Sequence, residues 1–266
     1  MKQAIPDPNV TSILQKLLAE VQRVLGAQLK GLYLYGSLAS GDFSLLSSDI
    51  DFVVTTQAPL PADTITALGM MHEQLTNSGL KWASKLEGSY ITQAALRRYQ
   101  PEAGPWPTLN EGRFYVAPHG RDWVIQRHIL RQHGVTLFGP PVASLLDPVT
   151  ADDLKQAVTE ILREWWEPML QEPAFVQRRE YQAFAVLTMC RALYTLRLGD
   201  VVSKPAAARW ALVELPGRWA VLIEQALAWP LGSQPDSLDE TLAFIAYTVA
   251  VSQNVRGTES TPKRND

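Results

Sequence analysis

Gly31-Leu32-Tyr33-Leu34-Tyr35-Gly36-Ser37, a polar run ending at Ser48, and then Asp49-Ile50-Asp51-Phe52-Val53-Val54 form the stretch on which the fold turns. The first apolar run has the length and aromatic content of a buried strand, and Gly36-Ser37 stops it. The second run is a strand with β-branched residues at its end. Along a strand, residues two apart share a face, so Asp49 and Asp51 point one way while Ile50 and Phe52 point into a core. Two neighbouring carboxylates repel unless a cation sits between them. Mg²⁺ is the ordinary cation for that place, because it takes oxygen ligands and bridges substrate phosphates. A glycine at a strand end lets backbone approach a ligand closely, and the Ser37 hydroxyl adds a donor for a phosphate oxygen. Ser47 and Ser48 lie next to the paired acids and are candidates to touch a nucleotide.

Outward from this stretch the pattern stays mixed as far as residue 150. Val10, Ile13, Leu14, Leu17, Leu18 and Val21 recur at helical spacing, which predicts a helix from Val10 to Gly26. Further helices are expected over Thr64 to Ser78 and Asp122 to His133, and strands over Leu86 to Ile91 and Val135 to Phe138. The prolines around residues 101–107 read as a loop. Beyond Asp147-Pro148 only helical periodicity remains. Thr150 is the N-cap of a first helix, and a long helix runs from Phe175 to Leu198 with Gly199 as its stop. Ser203 caps the next, and Ser237-Leu238-Asp239-Glu240 matches the capping box of a last helix to Ser252. The expected architecture is an α/β domain over 1–150, a mixed sheet with flanking helices. An all-α bundle follows over 151–254, and a disordered tail over 255–266.

Gly36-Ser37 followed by Ser48-Asp49-Ile50-Asp51 resembles the signature of the polymerase-β-type nucleotidyltransferases. Residues 33–54, Leu86-Glu87, Val135-Thr136-Leu137-Phe138-Gly139-Pro140, Leu187-Thr188-Met189-Cys190-Arg191 and Pro205-Ala206-Ala207-Ala208-Arg209-Trp210-Ala211 are similar to segments of the aminoglycoside (3'')(9) adenylyltransferases. The resemblance implies an enzyme that moves AMP from ATP to a hydroxyl of an aminocyclitol or aminoglycoside antibiotic. It implies that Gly36 and Ser37 grip the triphosphate and that Asp49 and Asp51 hold Mg²⁺. Glu87 becomes the general base on the acceptor hydroxyl, or a third metal ligand. Arg191 and Lys204 become cations for the phosphates, in a site closed by the helical half. Lys204 also begins a predicted helix, where a cation opposes the helix dipole unless an anion binds. A polycationic acceptor needs acids and rings. The helical half offers Glu172 and Glu180, with Trp165 and Trp166 available to stack on a sugar or base, although one of two adjacent tryptophans on a helix belongs to the core. Arg178-Arg179 would repel a highly charged acceptor, which favours spectinomycin over streptomycin.

The chain has 266 residues, 46% hydrophobic and 19% charged, with a formal net charge of −3. That is globular composition without the basic balance of a nucleic-acid binder. A single cysteine, Cys190, allows no internal disulfide and fits a reducing compartment. No run approaches the ~18 apolar residues of a membrane span. The opening MKQAIPDPNV has no apolar core, so no ordinary secretory leader is expected. The expected protein is a cytoplasmic monomer whose partners are ATP and a small-molecule acceptor, with neither nucleic acid nor membrane among them. Two alternatives remain open: the same transfer to another small molecule or to a protein, as in toxin–antitoxin pairs, and a nucleotide-binding regulator without catalysis. His72, His119, His128 and His133 lack metal-ligand spacing and read as structural.

Overall fold

The computed structural model describes residues 7–229, 231 and 235–259, with the side chains of 255–259 left aside. The backbone divides into two compact units at Pro148/Val149.

In the first unit, helix α1 (Pro8–Leu25) starts where the Asp7 side chain accepts the N–H of Asn9, and it buries the predicted stripe. Then follow β1 (Leu29–Leu34), the short α2 (Gly36–Ser40), β2 (Ile50–Thr56), α3 (Ala62–Thr76), β3 (Leu86–Thr92) and α4 (Gln93–Leu96). The unit closes with β4 (Trp106–Asn110), β5 (Arg113–Ala117), α5 (Asp122–His133) and β6 (Val135–Phe138). The six strands form one sheet in the order β5-β4-β3-β2-β1-β6. Strands β2 and β3 are parallel and the other pairs antiparallel, so the sheet is mixed. On one face Leu32, Leu34, Ile50, Phe52, Val54, Leu86 and Tyr90 pack against α1 and α3 in one continuous core. Fully buried side chains such as Leu17 and Phe52 each contribute ~1.5–3 kcal/mol through removal from water. The pleat leaves Asp51, Glu87 and Ser89 on the opposite face.

Residues 106–107, expected in a loop, instead open a hairpin that runs over 106–117. Glu111 (φ 47) and Gly112 (φ 72) are both left-handed, which is the two-residue turn whose twist matches the strands it joins. Prolines 101, 105 and 107 mask the alternation that would have revealed it, and Pro107 is tolerated inside β4.

The second unit is helical: α6 (Ala151–Ile161), α7 (Arg179–Leu198), α8 (Lys204–Glu214), α9 (Ala220–Ala228) and α10 (Leu238–Glu259). Thr150 and Asp153 form a full capping box on α6. Between α6 and α7 the chain runs through a π turn over Leu162–Trp166 and 3₁₀ turns over Glu167–Leu170 and Pro173–Gln177. Helix α7 therefore begins at Arg179, not Phe175, because extended Arg178 (φ −79, ψ 132) interrupts the spiral. Gly199 ends α7 in the left-handed conformation (φ 68), and Ser203 Oγ accepts the Ala206 N–H at the start of α8. The Ser237 box is modified: the Ser237 N–H donates to Gln182 Oε1 at 3.1 Å, in place of a bond to Glu240, and the Leu238 N–H donates to Asp236 Oδ1. Helix α10 continues to Glu259 through part of the expected tail; residues 260–266 lie outside the described residues.

Candidate active site

The site grows from strand register. Asp51 and Glu87 are direct partners in the parallel β2–β3 pair, with backbones roughly 4.8 Å apart and side chains on the same face. The antiparallel β3–β4 register pairs Gly88 with Leu109 and Ser89 with Thr108, so the next residues along, Glu87 and Asn110, also stand opposite each other. On the other side, the Tyr35 N–H donates to the Asp51 carbonyl at 3.1 Å. Tyr35, Asp51, Glu87 and Asn110 thus form one row across four strands.

Gly36 explains the tight turn after β1. It has φ +64, and a Cβ there would lie 1.9 Å from Asp51 Oδ2. Any side chain at position 36 would both strain the backbone and collide with the carboxylate. Ser37 follows in α2. Among the described residues its hydroxyl makes no hydrogen bond within the protein, whereas its carbonyl accepts the Asp42 N–H.

Asp49 lies one residue before β2 rather than within it. Its Oδ1 accepts from Lys85 Nζ at 3.1 Å. Lys85 stands immediately before Leu86-Glu87, and the sequence reading passed over it. Glu87 is half-buried. Burial first, and the charge of Asp49 next, push its carboxyl above the ordinary value, while the Glu111 N–H works against them. That N–H reaches Glu87 Oε1 at 3.3 Å. Tyr35 is buried, and its phenol is pushed well above its ordinary range by burial and then by the fields of Asp51, Asp122 and Glu87. The charges of Asp51 and Glu87 therefore act together on the buried ring of Tyr35.

Among the described residues, no three His, Cys, Asp or Glu side chains converge closely enough to cage a cation. Asp49 is turned to Lys85 and Glu87 to the β4–β5 turn. Ser48 serves the loop: its Oγ accepts the Ser44 N–H at 2.9 Å. Ser47 is exposed.

In the helical unit, Arg191 is half-buried on α7 and Lys204 is the first residue of α8. Lys204 Nζ sits 3.9 Å from the ring centroid of Phe184, a cation–π contact of roughly 0.5–2 kcal/mol that offsets its unfavourable place at a helix start. Phe184 and Arg191 are seven residues apart and share one face of α7. Of the two tryptophans, Trp166 is 3% exposed and Trp165 is 54% exposed. Trp166 stacks on Phe184 (6.2 Å, 27°) and Trp165 meets Phe175 edge-on. Trp166 is thus a core residue, and Trp165 is the accessible ring. Glu180 is exposed and paired with Arg178, and Glu172 is exposed. Cys190 is buried with its thiol pushed up to about 12, so it is unreactive packing. His72 and His119 are buried and bonded to Tyr90 Oη (2.7 Å) and Ser89 Oγ (2.8 Å), as structural histidines are.

Residues 14–95 match the nucleotidyltransferase domain, and residues 144–254 match the C-terminal domain of aminoglycoside adenylyltransferase. The chain is 28% identical over 255 residues to an aminoglycoside (3'') (9) adenylyltransferase of Escherichia coli, covering 90% of this chain and 93% of the relative. The two halves of the chain are thus similar to the two domains of the aminoglycoside adenylyltransferases. The chain is a nucleotidyltransferase. A spectinomycin 9-adenylyltransferase of Staphylococcus aureus is 26% identical over 246 residues, 88% of this chain and 90% of that one. The fold matches the solved spectinomycin adenyltransferase AAD(9) from Enterococcus faecialis with ATP and spectinomycin. The TM-score is 0.69 at 17% identity, over 90% of this chain and 99% of that one. Among the described residues no helix is long and apolar enough to cross a membrane.

Proposed function

We propose that this adenylyltransferase-family enzyme moves AMP from Mg-ATP to a hydroxyl of an aminocyclitol antibiotic, with spectinomycin favoured over streptomycin, and that it works as a cytoplasmic monomer. The observation that carries the reading is the row that sets Asp51 beside Glu87, with Gly36 closed against the Asp51 carboxylate.

The donor set suits magnesium. Mg²⁺ is commonly held by one or two carboxylates, with substrate phosphates and water completing its shell, and does not need an all-protein cage. Asp49 and Asp51 would hold it, and the Lys85 ammonium already resting on Asp49 marks that carboxylate as a place for positive charge. When bound, the ion supplies Lewis-acid polarisation of the phosphates and charge neutralisation.

The remaining steps belong to the chain. Gly36 brings backbone close to the triphosphate, and the Ser37 hydroxyl donates to it. Glu87 takes the proton from the acceptor hydroxyl as that oxygen bonds the α-phosphorus. The bond from the α-phosphorus to the β-bridging oxygen breaks, and pyrophosphate leaves with the electron pair. A carboxyl whose proton affinity is raised by burial is suited to accept that proton. Arg191 and Lys204 supply positive charge for the phosphates. Pairing of Glu180 with Arg178 reduces the acid available to a polycation, which supports the less charged acceptor. Trp165 offers a ring face for it.

Incubation with α-labelled ATP, Mg²⁺, spectinomycin and streptomycin tests the reading. Label on spectinomycin with release of pyrophosphate is expected. Label on protein would move the acceptor to a polypeptide, and no transfer to anything would leave a nucleotide-binding regulator.

A further inference from the structure

Glu87 is held from outside its own strand. The β4–β5 turn reaches over β3 and gives its carboxylate three donor contacts. With its amide nitrogen facing the carboxylate, Asn110 donates to Oε1 at 3.1 Å and to Oε2 at 3.3 Å. The opposite amide orientation would set oxygen against oxygen. The Glu111 N–H completes the set on Oε1 at 3.3 Å. We propose that Asn110, together with the backbone N–H of Glu111, is the positioning group of Glu87, fixing the plane and direction of that carboxylate for the transfer reaction.

Three features converge on this assignment. First, Asn110 is the cross-strand neighbour of Glu87, so the amide and the carboxylate share a face by register rather than by chance of a long side chain. Second, the turn that aims the 111 N–H holds a glutamate at φ 47, where a residue with a Cβ costs about 1 kcal/mol or more. Glycine or asparagine is the ordinary occupant of that position. A non-glycine residue kept in the left-handed region, with its N–H on a site carboxylate, is strain placed where function is expected. Third, the contacts leave capacity to spare. An ionised carboxylate offers about four lone-pair directions, and the clamp draws on Oε1 twice and on Oε2 once. Oε2 retains a direction for an incoming hydroxyl. A Glu side chain otherwise has three rotatable bonds and no reason to stay put. Fixing it is worth rate, because a misplaced base is a poor one.

This inference rests on Glu87 acting in catalysis, so the test separates the two claims. Steady-state rates of pyrophosphate release with ATP, Mg²⁺ and spectinomycin are compared for the native chain and for Glu87→Gln, Asn110→Asp, Asn110→Ala and Asn110→Gln. Asn110→Asp keeps the side-chain shape but removes both donors and adds a negative charge beside Glu87, so Asn110→Ala, which removes the donors without adding charge, is read beside it. The expected result is a fall in kcat of roughly 10–100-fold for Asn110→Asp and Asn110→Ala, the range for partners that orient a working ligand or base. KM for ATP and Tm should stay near native values, and Asn110→Gln should recover part of the rate. If Glu87→Gln abolishes turnover while Asn110→Asp keeps native kcat, the positioning role is overturned and the base stands. If Glu87→Gln turns over normally, the base itself falls. Crystal structures of the native chain and of Asn110→Leu decide the geometry without any substrate. One Glu87 rotamer bonded to Asn110 is expected in the first, and a displaced or divided Glu87 in the second. A native Glu87 facing away from the turn would overturn the proposal.

Discussion

The two units hold their polar candidate residues by different means. In the α/β unit the row Tyr35–Asp51–Glu87–Asn110 is set by backbone pairing across four strands. In the helical unit Lys204 and Trp166 are held through the ring of Phe184, and Lys204 is a long side chain at a helix end. Register positions a group to within the tolerance of a hydrogen-bond ladder. Ring contacts leave a long cation several rotamers. The comparison teaches that the α/β unit places its carboxylates by backbone register, whereas the helical unit holds its cation through side-chain packing.

Replacing a register-held acid should therefore do the most damage. Asp51→Asn is expected to lower transfer by about 10³-fold, since several kcal/mol of charge stabilisation go with the metal ligand. Pyrophosphate release at saturating Mg²⁺ measures it, and a loss under tenfold would break the assignment. Gly36→Ala tests the same row from beneath. Its Cβ would need the space of Asp51 Oδ2 at 1.9 Å, so activity should fall on the order of 10²-fold with a modest drop in Tm; an unchanged rate would show that Asp51 yields freely.

Acid should weaken the α/β unit before the helical one. His72 and His119 are held neutral by burial, to about 4 and about 3. The unfolded chain binds their protons first, so the stability they confer is complete above the ordinary histidine value near 6.5 and is lost as pH falls toward those folded values. At pH 5 the loss is roughly 2 kcal/mol for each. Urea midpoints between pH 7 and pH 5, read by the fluorescence of a tryptophan in each unit, should move more for the α/β unit. Equal shifts would sink the comparison. The smallest effect is expected from Lys204→Ala: KM for ATP should rise about tenfold or less, since a single charge near phosphate gives ~1 kcal/mol in partly exposed surroundings. A loss as deep as that of Asp51→Asn would mean that the ring-held cation is placed as strictly as the register-held acids.

Much of this was legible in the residues. Asp122 to His133 and Val135 to Phe138 were read to the residue, because periodicity and the flanking glycine at 134 leave little choice. Thr150, Gly199 and Ser203 were legible as caps, since a helix end exposes unpaired backbone groups that few residue types can satisfy. The β4–β5 hairpin was missed, because prolines interrupt its alternation. With it went Asn110 and Glu111, whose contacts to Glu87 join residues more than twenty positions apart. Lys85 was missed for the same reason, as its partner Asp49 lies on the far side of α3.

What the amino-acid order determined by itself is local: which runs are strands or helices, where each ends, and that Asp51 faces away from the apolar core. Only the tertiary structure decided that the Asp51 and Glu87 carboxylates are neighbours, that Gly36 must stay bare to admit one of them, and that a hairpin turn grips the other. The reason is physical. A pattern of period two or 3.6 reports the face a side chain takes within its own element. Which strand lies beside which, and in what register, is settled by the packing of the whole sheet against α1 and α3.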